Sequence, residues 1–145
     1  MLYAHSDVAM HLHIVWSTRR RRKWIGAGYD EWLRELLRDK LLEHGCEPIA
    51  IGNASDHVHV LTTLPSTMPI AELARALKGS SSHAWNLRFP LNRLYWQGYW
   101  ARSVDASGIE ILSRYIESQR SHHRRADEAP LASPWEQTWS PEFGT

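Results

Sequence analysis

The chain predicts an α+β fold: one antiparallel β-sheet with two helices across one face and a third helix near the C-terminus. Three observations carry that expectation. Residues 10–18 alternate, with Leu12, Ile14 and Trp16 on one side and His11, His13 and Val15 on the other, as a strand requires. Leu33, Leu36, Leu37 and Leu41 recur at helical spacing within residues 30–44. Two short apolar runs, 47–54 and 57–64, flank a tight Asn53-Ala-Ser-Asp56 turn and read as paired strands.

The remaining elements follow in order. After the first strand comes a basic run, Arg19, Arg20, Arg21, Arg22 and Lys23, expected as a loop that ends near Gly26 and Gly28. Gly45 is a stop signal for the first helix. Pro69 suits the first turn of a second helix, where its missing N–H costs nothing, and Ile70, Leu73 and Leu77 face one way along it. The segment Leu77-Lys-Gly-Ser-Ser-Ser82 is expected to end that helix. An aromatic-rich stretch, 85–100, leads into a fourth strand over 99–104. Ser107 and Glu110 have capping-box spacing, which predicts a last helix from Gly108 to about His123. Prolines 130, 134 and 141 break periodicity beyond Ala126, so 126–145 reads as an irregular tail with Trp135 and Trp139 as candidate anchors. The order β-α-β-β-α-β corresponds to a ferredoxin-like antiparallel sheet. The additional helix is then available to cover the opposite face, and residues 1–125 are expected to form one domain. No internal repeat appears at solenoid periods.

Composition narrows the class. At 145 residues the chain can bury a core without disulfides, and its single cysteine, Cys46, cannot form an intramolecular bridge. Both points suit a reducing cytoplasm. No apolar run approaches the roughly 18 residues of a membrane span, and Met1–Met10 lacks a signal-peptide pattern. The expectation is a cytoplasmic protein with no membrane partner. The net charge of +1 conceals clustering: the 19–23 run, and His122, His123, Arg124 and Arg125. Each cluster is either a phosphate-backbone footprint or a solvated loop. Eight tryptophans stand out; tryptophan is usually core, but exposed copies make stacking platforms for unpaired bases.

The strongest chemical signal is His57-Val58-His59 in the third strand. Side chains two apart on a strand project from one face, so both imidazoles point together while Val58 and Val60 enter the core. Paired imidazoles suit a divalent metal or simply pair with neighbours. His11 and His13 form a second pair on the first strand, which the topology places beside the third. That allows a four-histidine metal centre; the favoured alternative is that His11 and His13 are surface groups or donate hydrogen bonds that support the first pair, His13 being the candidate for that support. On the last helix Ile109, Leu112 and Ile116 form the apolar stripe. Tyr115 and Gln119, four apart, share another face. A helical tyrosine is ordinarily a packing residue. Here it stands beside an amide, histidines and arginines, on the side expected to hold the imidazoles. A phenol has a pKa near 10, so it needs a nearby cation or base to act as a nucleophile.

These residues recur in a recognisable series. It comprises His13-Ile-Val-Trp-Ser-Thr, Asp56-His-Val-His-Val-Leu61, Leu77-Lys-Gly-Ser-Ser-Ser82, Trp96-Gln-Gly-Tyr99, Ser103-Val104 and Tyr115-Ile-Glu-Ser-Gln119 followed by His122-His123. In that order and spacing, from about His13 to Arg124, the chain resembles the single-tyrosine HUH transposases, including the REP-associated tyrosine transposases of bacteria. The resemblance implies that His57, His59 and Gln119 ligate a divalent metal, Mg²⁺ or Mn²⁺. It implies that Tyr115 attacks a phosphodiester of single-stranded DNA, leaving a 5′-phosphotyrosine and a free 3′-OH that later rejoins strands. It also implies a homodimer, in which the tyrosine helix of many members serves the partner's histidines, and recognition of a DNA hairpin beside the cleavage site. Arg19, Arg20, Arg21, Arg22, Lys23, Lys78, Ser80 and Ser81 are the candidate backbone contacts, with Trp96 or Trp100 for stacking. Two other readings stand beside this one: a catalytically idle nucleic-acid-binding module of the same fold, and a zinc hydrolase using both histidine pairs.

Overall fold

The structure, a computed structural model, describes residues 10–120. The expected tail over 126–145, the 122–125 cluster and the last turn of the final helix lie outside the described residues. Four strands, β1 (His11–Thr18), β2 (Pro48–Asn53), β3 (His57–Thr63) and β4 (Trp96–Ser103), form one sheet in the order β2-β3-β1-β4. Every pairing is antiparallel. Three helices accompany them: α1 (Asp30–Glu43), α2 (Ile70–Arg88) and α3 (Ile109–Glu117). The expected adjacency of the first and third strands is present, with Ser17 opposite His57 and Val15 opposite His59.

Strand alternation divides the side chains between two faces. Leu12, Ile14, Trp16, Val58 and Val60 pack with Leu33, Leu37 and Leu41 of α1 and Leu73, Leu77 and Trp85 of α2. A second, smaller cluster on the other face joins Ala50 and Leu61 to Ile116, with Ile109, Leu112 and Tyr115 against it. That is where α3 lies. α1 stops as its sequence requires: Gly45 adopts φ 76°, the Cys46 N–H bonds the Leu41 carbonyl at 2.9 Å, and the Gly45 N–H bonds that of Leu42 at 3.1 Å. This is a Schellman motif, closed by buried Cys46 and Leu41.

Three expectations are corrected. α2 does not end at Ser82 but runs on to Arg88. Serines compete with helix when their hydroxyls find other partners; here Ser80, Ser81 and Ser82 bond back to the Ala76, Lys78 and Gly79 carbonyls. Fully buried Trp85, packed against Tyr29, Trp32 and Phe89, holds the added turns in place. The helix stops at Phe89, which precedes Pro90 and leaves helical geometry. β4 begins at Trp96 rather than residue 99. Its register against β1 shifts between Val15 and Ser17, where Gly98 sits at φ 64°, and that irregularity hides the alternation. Finally, the Ser107–Glu110 capping box does not form. A 3₁₀ turn, Ala106–Gly108, leads into α3, and Glu110 pairs with Arg114 instead.

Candidate active site

α3 can lie close to the sheet because of one glycine. Gly52 pairs with His59 across β2 and β3, and a Cβ on it would overlap the Ile116 carbonyl oxygen. With no side chain there, the helix backbone settles directly over β2, and Ile116 is fully buried. Tyr115 then sits edge-on to His59, ring centroids 5.8 Å apart at 83°. Gln119 reaches His57, with Oε1 3.3 Å from Nε2. The structure therefore brings together His57, His59, Tyr115 and Gln119 of one chain. Both histidines and Gln119 are buried.

Two neighbours orient the imidazoles. The Asp56 carboxylate lies 2.7 Å from His57 Nδ1 and accepts a hydrogen bond from Arg21 Nε at 3.2 Å. Burial alone would raise the Asp56 carboxyl. The His57 hydrogen bond and charge, followed by those of Arg21, outweigh burial and hold it at about 2. An ionised carboxylate only accepts, so His57 presents Nδ1–H to it and turns Nε2 toward Gln119. The Gln119 amide nitrogen donates to the Tyr115 carbonyl at 3.1 Å, which aims Oε1 at the same point. In neutral His57, two lone pairs thus face each other, an arrangement that a proton or a cation between them relieves. His13 Nε2 lies 2.9 Å from His59 Nδ1, the rings stacked at 5.1 Å. Burial lowers His13 to about 4, so it is neutral at neutral pH. When His59 donates through Nδ1, its Nε2 carries the lone pair.

His11 joins none of these side-chain contacts, and a four-histidine centre gains no support. Among the described residues no group of three or more His, Cys, Asp or Glu side chains is arranged to hold a metal.

The candidate DNA contacts separate. The basic run is an ordered 3₁₀ turn with Arg20 and Arg21 at φ 57° and 56°. Arg20 is tied through its backbone N–H to Gln97, Arg22 lies over Trp24, and Arg19 lies over Tyr95 at 5.0 Å. Lys23 is exposed. The guanidinium of Arg21 is engaged with Asp56. Ser81 is fully buried and accepts a hydrogen bond from Trp96 Nε1 at 2.9 Å, so it does not face the surface where a DNA backbone would lie. Ser80 is turned back onto its own helix. Both outcomes follow from the longer α2, which carries these serines inside a packed helix. Arg19 and Lys78 instead line a cleft of about 560 Å³ between α2 and β4, together with Arg75, Tyr95, Trp96 and Tyr99. Trp100 lies on the histidine side, edge-on to His13 and capped by Arg102.

Sequence reasoning gave no role to Asp56, Gly52 or Arg75. Asp56 directly precedes the histidine pair, and Arg75 stands one helical turn before Lys78, so both had a local signal. The approach that Gly52 permits is visible only once α3 is placed.

A family model described as "Transposase IS200 like" matches residues 6–119, most of the chain. This chain belongs to the IS200-like transposase family. The ISDra2 transposase TnpA of Deinococcus radiodurans is 27% identical over 117 residues, covering 76% of this chain and 84% of that relative. Two solved structures share the fold. A crystal structure of a Deinococcus radiodurans R1 protein aligns with a TM-score of 0.67 at 24% identity, covering 83% of this chain and 98% of its own. A REP-associated tyrosine transposase bound to a REP hairpin aligns with a TM-score of 0.59 at 18% identity, covering 97% and 91%. Transposases of this family cut and rejoin DNA and are in general metal-dependent. Among the described residues, no helix is long and apolar enough to cross a membrane.

Proposed function

We propose that this transposase cuts and rejoins single-stranded DNA through Tyr115, with His57, His59 and Gln119 holding a divalent cation, Mg²⁺ or Mn²⁺. The observation that carries the reading is the convergence of two imidazoles, an amide oxygen and a phenol on one buried face. The donor chemistry fits such an ion: two nitrogens and an oxygen whose lone pairs are directed inward by Asp56, His13 and the Tyr115 carbonyl. The bound cation would polarise the scissile phosphate.

The Tyr115 phenol loses its proton and its oxygen attacks phosphorus. The bond from phosphorus to the 3′ oxygen breaks, and that oxygen takes up a proton as a 3′-OH. The 5′-phosphotyrosine conserves the energy of the phosphodiester. A later 3′-OH attacks it, reforms the diester and returns the phenol, so no nucleotide cofactor enters the balance.

The cleft of Arg19, Arg75 and Lys78 lies on the helix-covered side, and among the described residues none of these cations has a carboxylate partner. Burial lowers the Lys78 ammonium, a cost that a DNA phosphate would offset. With Tyr95, Trp96 and Tyr99 beside them, these cations suit a hairpin such as the one bound by the REP-associated relative. We assign the protein as a homodimer, which light scattering measures directly.

The test is incubation of labelled single-stranded DNA with the protein and Mn²⁺. A covalent protein–DNA adduct at the 5′ end is expected, and Tyr115→Phe should form none. An adduct that survives in Tyr115→Phe rejects the assignment. Mn²⁺ titration of His57→Ala, His59→Ala and Gln119→Ala reads the cation site independently of cleavage.

A further inference from the structure

We propose that Arg120 is a positioning residue, which clasps the tyrosine helix to the histidine half of the site through Asp30 and Asn53. The inference rests on the assignment of Tyr115 and Gln119 above. α3 ends at Glu117, and Ser118 departs from helical geometry at φ −103°, ψ 18°, before Gln119 and Arg120 turn helical again. The helix is interrupted between Tyr115 and Gln119, and Arg120 fixes the segment beyond the break.

Arg120 Nε donates to Asp30 Oδ2 at 2.8 Å, and Nη2 donates to Asp30 Oδ1 at 2.8 Å and to the Ile25 carbonyl at 2.9 Å. Such a two-pronged pair fixes the plane and angle of the guanidinium as well as its distance. Asp30 is the first residue of α1, where the helix dipole favours a carboxylate. Its Oδ1 also accepts from Asn53 Nδ2 at 2.9 Å. Asn53 ends β2, and the turn it begins delivers Asp56 and His57. One carboxylate thus joins the segment carrying Gln119 to the segment carrying His57.

The pair is only partly buried, with side chains about a quarter exposed, so its effect on global stability is modest. Its effect on geometry is not. Gln119 Oε1 stands 3.3 Å from His57 Nε2, and a displacement of about 1 Å at such a site can lower a rate up to about 100-fold.

The experiment compares full-length wild-type protein with Arg120→Gln, Asp30→Asn and the double variant. Single-turnover cleavage at saturating oligonucleotide, oligonucleotide Kd, Mn²⁺ Kd and thermal midpoint are measured for each. We expect each single variant to lose roughly 10- to 100-fold in cleavage rate and to weaken Mn²⁺ binding. Oligonucleotide Kd should stay within about twofold, and the double variant should be no worse than the poorer single. Arg120→Lys keeps the charge but not the fork and should fall between wild type and Arg120→Gln; it carries the same test if Arg120→Gln melts below the assay temperature. Wild-type cleavage and Mn²⁺ binding in Arg120→Gln would overturn the clasp. So would a fall in oligonucleotide affinity of about tenfold or more, which would make Arg120 a phosphate contact, or losses that multiply in the double variant. If Tyr115→Phe is inert and Arg120→Gln is normal, the clasp alone is wrong. If Tyr115→Phe still forms the adduct, the assignment beneath it is wrong.

Discussion

The buried hydrogen bonds around His57 and His59 make their own predictions. Asp56→Ala removes the acceptor that holds His57 Nδ1–H. Mn²⁺ affinity should fall about 10- to 100-fold, measured by calorimetry. In the same variant Arg21 loses its ion-pair partner, so affinity for DNA should hold or rise while cation affinity drops. His13 supplies a pH dependence. It is lowered by burial from 6.5 to about 4, so between those values the unfolded chain binds a proton that the folded chain refuses. Its contribution to stability is complete above about pH 6.5 and is lost as pH falls toward 4. The shift corresponds to a loss of about 3 kcal/mol in the metal-free protein. Urea unfolding at pH 7 and pH 4.5 should show it, and His13→Gln should flatten the difference. An unchanged slope would reject the assignment. His13 was legible as a neighbour of the pair from strand spacing together with the expected strand order. Which nitrogen meets which could not be read, because ring orientation depends on contacts 46 residues apart in sequence.

At the scale of elements, the tyrosine helix depends on a close approach and α2 on an anchor. Gly52→Ala places a methyl group against the Ile116 carbonyl, so α3 must lift from β2. Hydrogen exchange over residues 109–117 should accelerate, with the α1 and α2 amides unaffected, and adduct formation should fall at least tenfold. Equal protection of α3 in both proteins would show that the helix does not need that approach. Trp85→Ala should cost about 3–5 kcal/mol, since a fully buried ring is lost from the cluster of Tyr29, Trp32 and Phe89. The same tryptophan explains why α2 outran its sequence signal. Gly79 and three serines argue locally for a stop, and burial of Trp85 overrides them.

Across the whole molecule the sheet separates two chemically different faces. One face, under α1 and α2, ends in the basic aromatic cleft beside β4; the other carries the histidines, Tyr115 and Gln119. Cations of the cleft should therefore act on DNA affinity. Arg75→Gln and Lys78→Gln should each weaken hairpin binding and reduce the dependence of log Kd on log salt concentration by about one. Binding titrations at three salt concentrations would show this, and an unchanged slope would exclude phosphate contact at that position. Ser81→Ala, by contrast, should alter stability through Trp96 and leave the salt slope unchanged.

Sequence by itself determined the order of elements, the two-faced strands and which of the candidate residues share a face, because strand and helix periodicities are local. Only tertiary structure decided which of those residues meet. The close approach of α3 to Gly52, the inward turn of Arg21, the burial of Ser81 and the Arg120–Asp30 pair all join segments distant in the chain. Contacts of that kind are set by how whole elements pack, and periodicity carries no information about them.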